Sequence, residues 1–201
     1  GLNEIRQDPV RYEQYLDFVR GRAYRHTLLV AHPATVDRQV TPQRIATVSI
    51  ASPARPAAAN IVLADGIRED FQHPHGAVLH VDNGITKAAL AELGRRWPQA
   101  VPFAELLTTA AAEAGRTDDA TAREVLATDL LGYFANGLVE LHLAPLPLTT
   151  DLGALPCAWP LARLQAARQA NGPAAWVSNL RHENVPLDAF SREVLARLDG
   201  T

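Results

Sequence analysis

Proline placement sets the first limit on this chain. Pro33, Pro42, Pro53, Pro56 and Pro74 all fall between residues 33 and 75. Each fixes its own φ and lacks the N–H that a helix interior uses, so no long helix fits there. From Asn83 to Ala135 the only prolines are Pro98 and Pro102, at the joints of a periodic sequence. The order expected is short, irregular β structure followed by packed helices.

The periodic stretch divides into three helices. Asn83-Gly84 opens the first, with Ile85, Ala89, Leu93 and Trp97 on one face and Pro98 ending it. Pro102 starts the second, with Phe103, Leu106, Leu107, Ala110 and Ala114 inward and Gly115 closing it. Thr117 or Asp118 caps the third, whose apolar face is Ala122, Val125, Leu126, Leu130, Tyr133 and Phe134; Asn136-Gly137 supplies a left-handed C-cap. The β-branched run Ile45 to Ile50 predicts a strand before them. Leu138 to Ala144 predicts one after, with Val139, Leu141 and Leu143 facing one way and Glu140 and His142 the other. Helices bracketed by strands in this way resemble a winged helix-turn-helix.

The flanks are mixed. Asp8-Pro9 caps an N-terminal helix carrying Tyr12, Tyr15, Leu16 and Val19, stopped by Gly21. Thr27 to Ala31 suits a buried strand. Ile67 to Gln72 and Ala77 to Asp82 are a further strand pair around the turn His73-Pro74-His75-Gly76. Near the end, Pro160 to Ala170 forms a helix with Leu161 and Leu164 inward, and Trp176 to Leu180 forms a strand. Asp188 caps a last helix with Phe190, Val194, Leu195 and Leu198 inward. The fold class is α+β: a winged-helix-like three-helix core with small β-sheets, an N-terminal helix, and a C-terminal helix–strand–helix. The regions are 1–75, 76–150 and 151–201, readable also as one continuous domain.

Composition removes several function classes. The net charge is −3, whereas a nucleic-acid-binding domain normally presents a strongly basic face. Of the 19 basic residues Lys87 is the only lysine, leaving 18 arginines, a bias that fits GC-rich coding. One cysteine excludes an internal disulfide framework and a Cys-rich zinc site. Cys157, between Pro156 and Ala158, reads as a buried, inert thiol. No apolar run approaches the ~18 residues that span a bilayer. The first twenty residues are too charged for a signal peptide, so the expected location is the cytoplasm. A chain without methionine does not begin with its own initiator and reads as a segment of a longer protein.

No motif assigns a catalytic residue or a metal. The 12 glycines form neither GxGxxG nor GxxxxGK[ST], and no Gly-rich turn follows a first strand to admit a methyl donor. There is no GxSxG and no HExxH. His73 and His75, with His80 beyond, are a metal pair or turn histidines; no acid or thiol at ligand spacing supports the former. The third helix would be the recognition helix of a DNA reader, but Asp118, Asp119, Glu124 and Asp129 outnumber Arg116 and Arg123 there, which favours a structural use. Arg22 and Arg25, with Arg20, could grip an anion or complement a helix C-terminus. Arg181-His182-Glu183-Asn184 is either a ligand-facing loop or, as favoured, an ion-paired turn that orients the last helix. Ser178, His182 and Asp188 supply triad residue types without known geometry. Candidate binding residues are therefore Arg181, His182, Glu183, Asn184, Arg22 and Arg25.

Several segments resemble a known family. Residues 13–22, reading EQYLDFVRGR, and then Arg25-His26-Thr27-Leu28-Leu29 resemble the opening of the methyltransferase regulatory domain of bacteria. Residues 51–56, the stretch from Lys87 to Pro98 with Pro102-Phe103 after it, and residues 178–183 running into Leu198-Asp199-Gly200-Thr201 agree. The resemblance implies a non-catalytic accessory region, similar to the parts outside the catalytic domain of rickettsial protein-lysine methyltransferases. It implies S-adenosylmethionine for the parent's catalytic domain and no cofactor here. It also implies docking on the methyltransferase domain of the same polypeptide, with a second copy of the chain as a further candidate partner. The family's methyl-donor residues have no counterpart in this chain.

Overall fold

The computed structural model describes residues 5, 7–24, 30–34, 36–37, 39–149, 152–168 and 175–201. The chain forms two compact units, Gly1–Gln39 and Val40–Thr201. The first contains α1 (Pro9–Val19), where Pro9 sits in the first turn. The Asp8 carboxylate accepts the N–H groups of Val10 (3.1 Å) and Arg11 (3.2 Å), as its N-cap position predicts. Gly21 follows with φ +61°. The strand expected over Thr27 to Ala31 falls largely outside the described residues.

The second unit opens with a 3-10 helix (Pro42–Thr47) and β1 (Ser49–Ala51). The strand expected from Ile45 thus begins only at Ser49. Pro42 presets a helical φ, and Thr47 Oγ1 donates to the Arg44 carbonyl, closing a turn that β-branched content alone does not reveal. There follow β2 (Arg55–Pro56), β3 (Glu69–Gln72), β4 (Val78–Val81), α2 (Gly84–Arg96) and β5 (Val101–Pro102). The unit continues with α3 (Phe103–Glu113), α4 (Ala120–Ala135), β6 (Glu140–His142), α5 (Pro160–Arg168), β7 (Ala175–Ser178), β8 (Asn184–Leu187) and α6 (Ala189–Arg197). All strand pairings are antiparallel, in orders β5–β1–β6, β2–β3–β4 and β7–β8. The strands expected before and after the three helices therefore lie side by side: Ile50 faces Val101 on one flank and Leu141 on the other. The α+β class with its three-helix core is borne out. Among the described residues no helix is long and apolar enough to cross a membrane.

The core is built around α2, every residue of which from Gly84 to Leu90 is buried. It packs against α3, α4 and β2. A Cβ on Gly84 would stand 2.0 Å from the Leu63 carbonyl oxygen, and one on Gly94 2.4 Å from that of Ala54. Both glycines are there because backbone approaches the helix too closely for a side chain. Lys87 is fully buried on the same helix. Its Nζ donates to the carbonyls of Val62 (2.6 Å), Ala64 (2.7 Å) and Ile67 (2.9 Å), which fills all three donors of an ammonium.

Several expected faces turn out differently. Asp119, not Thr117 or Asp118, caps α4, accepting from Ala122 N at 2.8 Å; Asp118 instead takes the Thr108 hydroxyl. Glu124 accepts from Gln43 and Asp129 from Thr86, so the acids that argued against a DNA-reading helix serve the fold itself. Phe134 is exposed. Leu161 and Leu164 of α5 point outward, and Ala162 and Ala166 face Val177 of β7. A second strand, β8, makes the C-terminal part helix–hairpin–helix; close contact with the hairpin selects alanine over leucine. In α6 Leu195 packs inward while Phe190 and Val194 are exposed. Cys157 is also exposed, because its segment forms only an isolated bridge to Asp199 at the surface.

Three substitutions separate these roles by urea midpoint. Gly94→Ala is expected to lower stability by about 1–3 kcal/mol through the backbone clash. Lys87→Met, which orphans three carbonyls, is expected to cost about 3 kcal/mol or more. Gly132→Ala in α4, where a Cβ meets nothing within 4 Å, is expected to add about 0.5–1 kcal/mol.

Candidate functional site

A dense polar cluster forms where the β7–β8 turn meets β6. Asn179 organises the turn: its Oδ1 accepts the N–H groups of Arg181 (2.8 Å) and Glu183 (2.9 Å), and its Nδ2 donates to the Glu183 carboxylate (2.7 Å). The backbone closes through Asn179 N to Glu183 O and His182 N to Asn179 O. His182 takes φ +59°, the single positive value outside glycine among the described residues.

This geometry swings Arg181 toward the sheet. Its two terminal nitrogens bind the Glu140 carboxylate bidentately at 2.9 and 2.5 Å, and Nε reaches Glu183 at 3.3 Å. The guanidinium lies 4.3 Å from the centroid of the Trp97 ring, a cation–π contact. Glu140 also meets His142 Nε2 at 3.1 Å. Burial pushes Glu140 up, but the Arg181 hydrogen bonds and charge, helped by His142, outweigh it and hold the carboxyl below its usual value. The Glu140 hydrogen bond raises Arg181 in turn.

Arg181, Glu183, Glu140 and Trp97 line a cleft of about 280 Å³ together with His73 and His75. His73 is buried, and burial, then the neighbouring His75, lowers its pKa, so it is neutral near pH 7. The two rings lie 4.8 Å apart, and the His75 N–H donates to His73 Nδ1. His80 does not join them: its Nδ1 lies 2.7 Å from Asp70 on the neighbouring strand. Among the described residues no group of three or more His, Cys, Asp or Glu could hold a metal.

Of the candidate binding residues, Arg181 and Glu183 line this cleft. His182 is exposed at the turn tip, and Asn184 pairs with Ser178 at the start of β8. Asp188 is used as the cap of α6, accepting Ser191 N at 2.6 Å. Arg22 belongs to the other unit, 3.9 Å from Asp17, and Arg25 lies outside the described residues. The 181–184 turn is ion-paired as expected, but it fastens onto β6 rather than onto the last helix. Glu140, Trp97 and Asn179 were not foreseen as its partners. Asn179, two residues before the turn charge, is the type that nucleates an Asx turn and was the one available signal.

Among the described residues, the turn from β4 into α2 leaves no open cradle for a methyl donor. β4 runs through Asn83 and Gly84 into α2, the strand–glycine–helix order such a cradle uses. Here the chain fills that position itself, with Asp65 accepting the Gly84 N–H at 2.7 Å and Leu63 lying across it.

Residues 155–201, which carry α5, β7, β8 and α6, match the family model described as PKMT, C-terminal winged helix domain. Two solved structures of PKMT2 from Rickettsia typhi share the fold of the whole chain. One, in complex with AdoHcy, has a TM-score of 0.82 at 18% identity; the other has 0.86 at 19%. Each match covers 100% of this chain, which spans 40% of the matched chain. No curated protein sequence matches. The resemblance to a methyltransferase accessory region is borne out by the family model and the shared fold.

Arg181 therefore ties the matched C-terminal segment to the sheet of the three-helix region. Arg181→Met is expected to lower stability by about 1–2 kcal/mol at pH 7, and Arg181→Lys to recover only part, since an ammonium cannot bind bidentately. Because the folded pKa of Glu140 lies below its unfolded value near ~4.3, the ion pair contributes fully above that pH and fades as pH falls through the folded value. The gap between native chain and Arg181→Met, followed by denaturant unfolding from pH 7 to 3, should shrink accordingly.

Proposed function

We propose that this chain is the non-catalytic accessory part of an S-adenosylmethionine-dependent protein-lysine methyltransferase of the bacterial cytoplasm. It docks on the methyltransferase domain of its own polypeptide and shapes substrate access or dimerisation. The observation that carries this reading is the overlay of all its residues on PKMT2, at a TM-score of 0.86, with 60% of that chain left for other parts. The C-terminal winged-helix match supports it independently.

The geometry is suited to positioning rather than to chemistry. In the Arg181 cleft each charged group has a charged partner, and the strand–glycine–helix turn is occupied by the chain's own Asp65. In the parent, the donor's sulfonium methyl group would be supplied at the catalytic domain. This chain's residues would hold shape: α2 as the rigid spine, and the hairpin latched by Arg181 at a defined place against it.

Expressing the parent enzyme with and without residues 1–201 tests this. Removal is expected to change the rate of methyl transfer, the choice of acceptor, or the oligomeric mass measured by light scattering. Identical rate, acceptor profile and mass would overturn the proposal.

A further inference from the structure

Lys87 is the only lysine in 201 residues, and it lies in the core. Its side chain is fully buried, and each of its three N–H bonds points at a carbonyl, of Val62, Ala64 and Ile67. Surface positive charge is otherwise carried by arginine. GC-rich coding accounts for arginine over lysine; it does not account for where the remaining lysine sits.

Methyl transfer to a lysine needs the lone pair on a deprotonated Nζ. That pair forms the new N–C bond, the C–S pair of the sulfonium leaves with sulfur as a thioether, and the displaced proton passes to solvent. Lys87 would first have to lose a proton, break its hydrogen bonds to loop carbonyls and leave the core, and a sulfonium would have to reach it in line through packed backbone. The guanidinium of arginine is a different nucleophile: planar, delocalised and always protonated in proteins. Resting on the function proposed above, we infer that this accessory region is exempt from the methyl transfer of its own enzyme. It can border the substrate entrance, at high effective concentration, without competing for the methyl group.

The test uses the full-length parent, an isotope-labelled methyl donor and a lysine-rich acceptor peptide, with methylated sites mapped by mass spectrometry. Label is expected on the peptide and nowhere in residues 1–201. In the single variants Arg68→Lys, Arg168→Lys and Arg197→Lys, all at exposed positions, at least one introduced lysine is expected to acquire label. Label on Lys87 of the folded enzyme would overturn the inference. So would a labelled peptide with all three introduced lysines unlabelled, since lysine absence would then protect nothing. An unlabelled peptide would instead remove the lysine-methyltransferase reading, and the exemption with it.

Discussion

The buried ammonium of Lys87 is the interaction on which the rest of the second unit depends. A lone charge taken out of water is very unfavourable unless its hydrogen bonds are replaced. The replacement comes from three carbonyls of the segment between β2 and β3, whose irregular backbone has acceptors to offer. Each side needs the other: the ammonium needs acceptors, and the segment's carbonyls need donors once covered. The same segment then closes the start of α2 through Asp65, which also meets Arg116 at 3.0 Å. Its close approach is possible because Gly84 has no side chain.

From that anchor the ties run down α2 in order. Thr86 donates to Asp129 at 2.5 Å and fixes α4. Glu92, nearly buried, binds Arg95 and Arg96, which extend to Glu113 and Glu105 of α3. Trp97, just past the helix end, receives the Arg181 guanidinium on its face. One helix thus touches the irregular segment at its start, two neighbouring helices along its length and the C-terminal hairpin at its end. The hairpin latch is bidentate with Glu140, so it sets an orientation as well as a distance.

How much of this is legible in the sequence depends on the range of the interaction. The helices of the middle region are legible because caps and apolar spacing act within a few residues: Asn83 and Asp188 cap as read. Facing is less legible in short helices. In α5 large leucines suggest the buried side, but β7 comes so close that only Ala162 and Ala166 fit between. The strand expected from Ile45 fails for a local reason, the preset φ of Pro42. The cleft fails for a distant one: Arg181 and Glu140 stand 41 positions apart, and no spacing rule joins them. Lys87 is conspicuous by count, yet its burial follows only once α2 is covered on every side, which single-helix periodicity does not show.

The balance of charges also bears on what kind of function the fold can support. A catalytic group is usually kept short of partners or held away from its ordinary pKa so that it can exchange a proton with substrate. Around Arg181 the opposite holds: the Asn179 amide and then Arg181 lower Glu183, Arg181 outweighs burial to lower Glu140, and Glu140 raises Arg181, which keeps all three charged near neutral pH. Burial moves His73 toward neutrality, and its Nδ1 already accepts a backbone N–H. Groups locked in single protonation states are poor acids and bases but good fasteners. What the cleft fastens is the hairpin of the C-terminal segment, whose exposed side chains include Trp176. The electrostatics of the cleft therefore favour a fixed orientation of the hairpin against β6 and Trp97 over proton exchange at these groups.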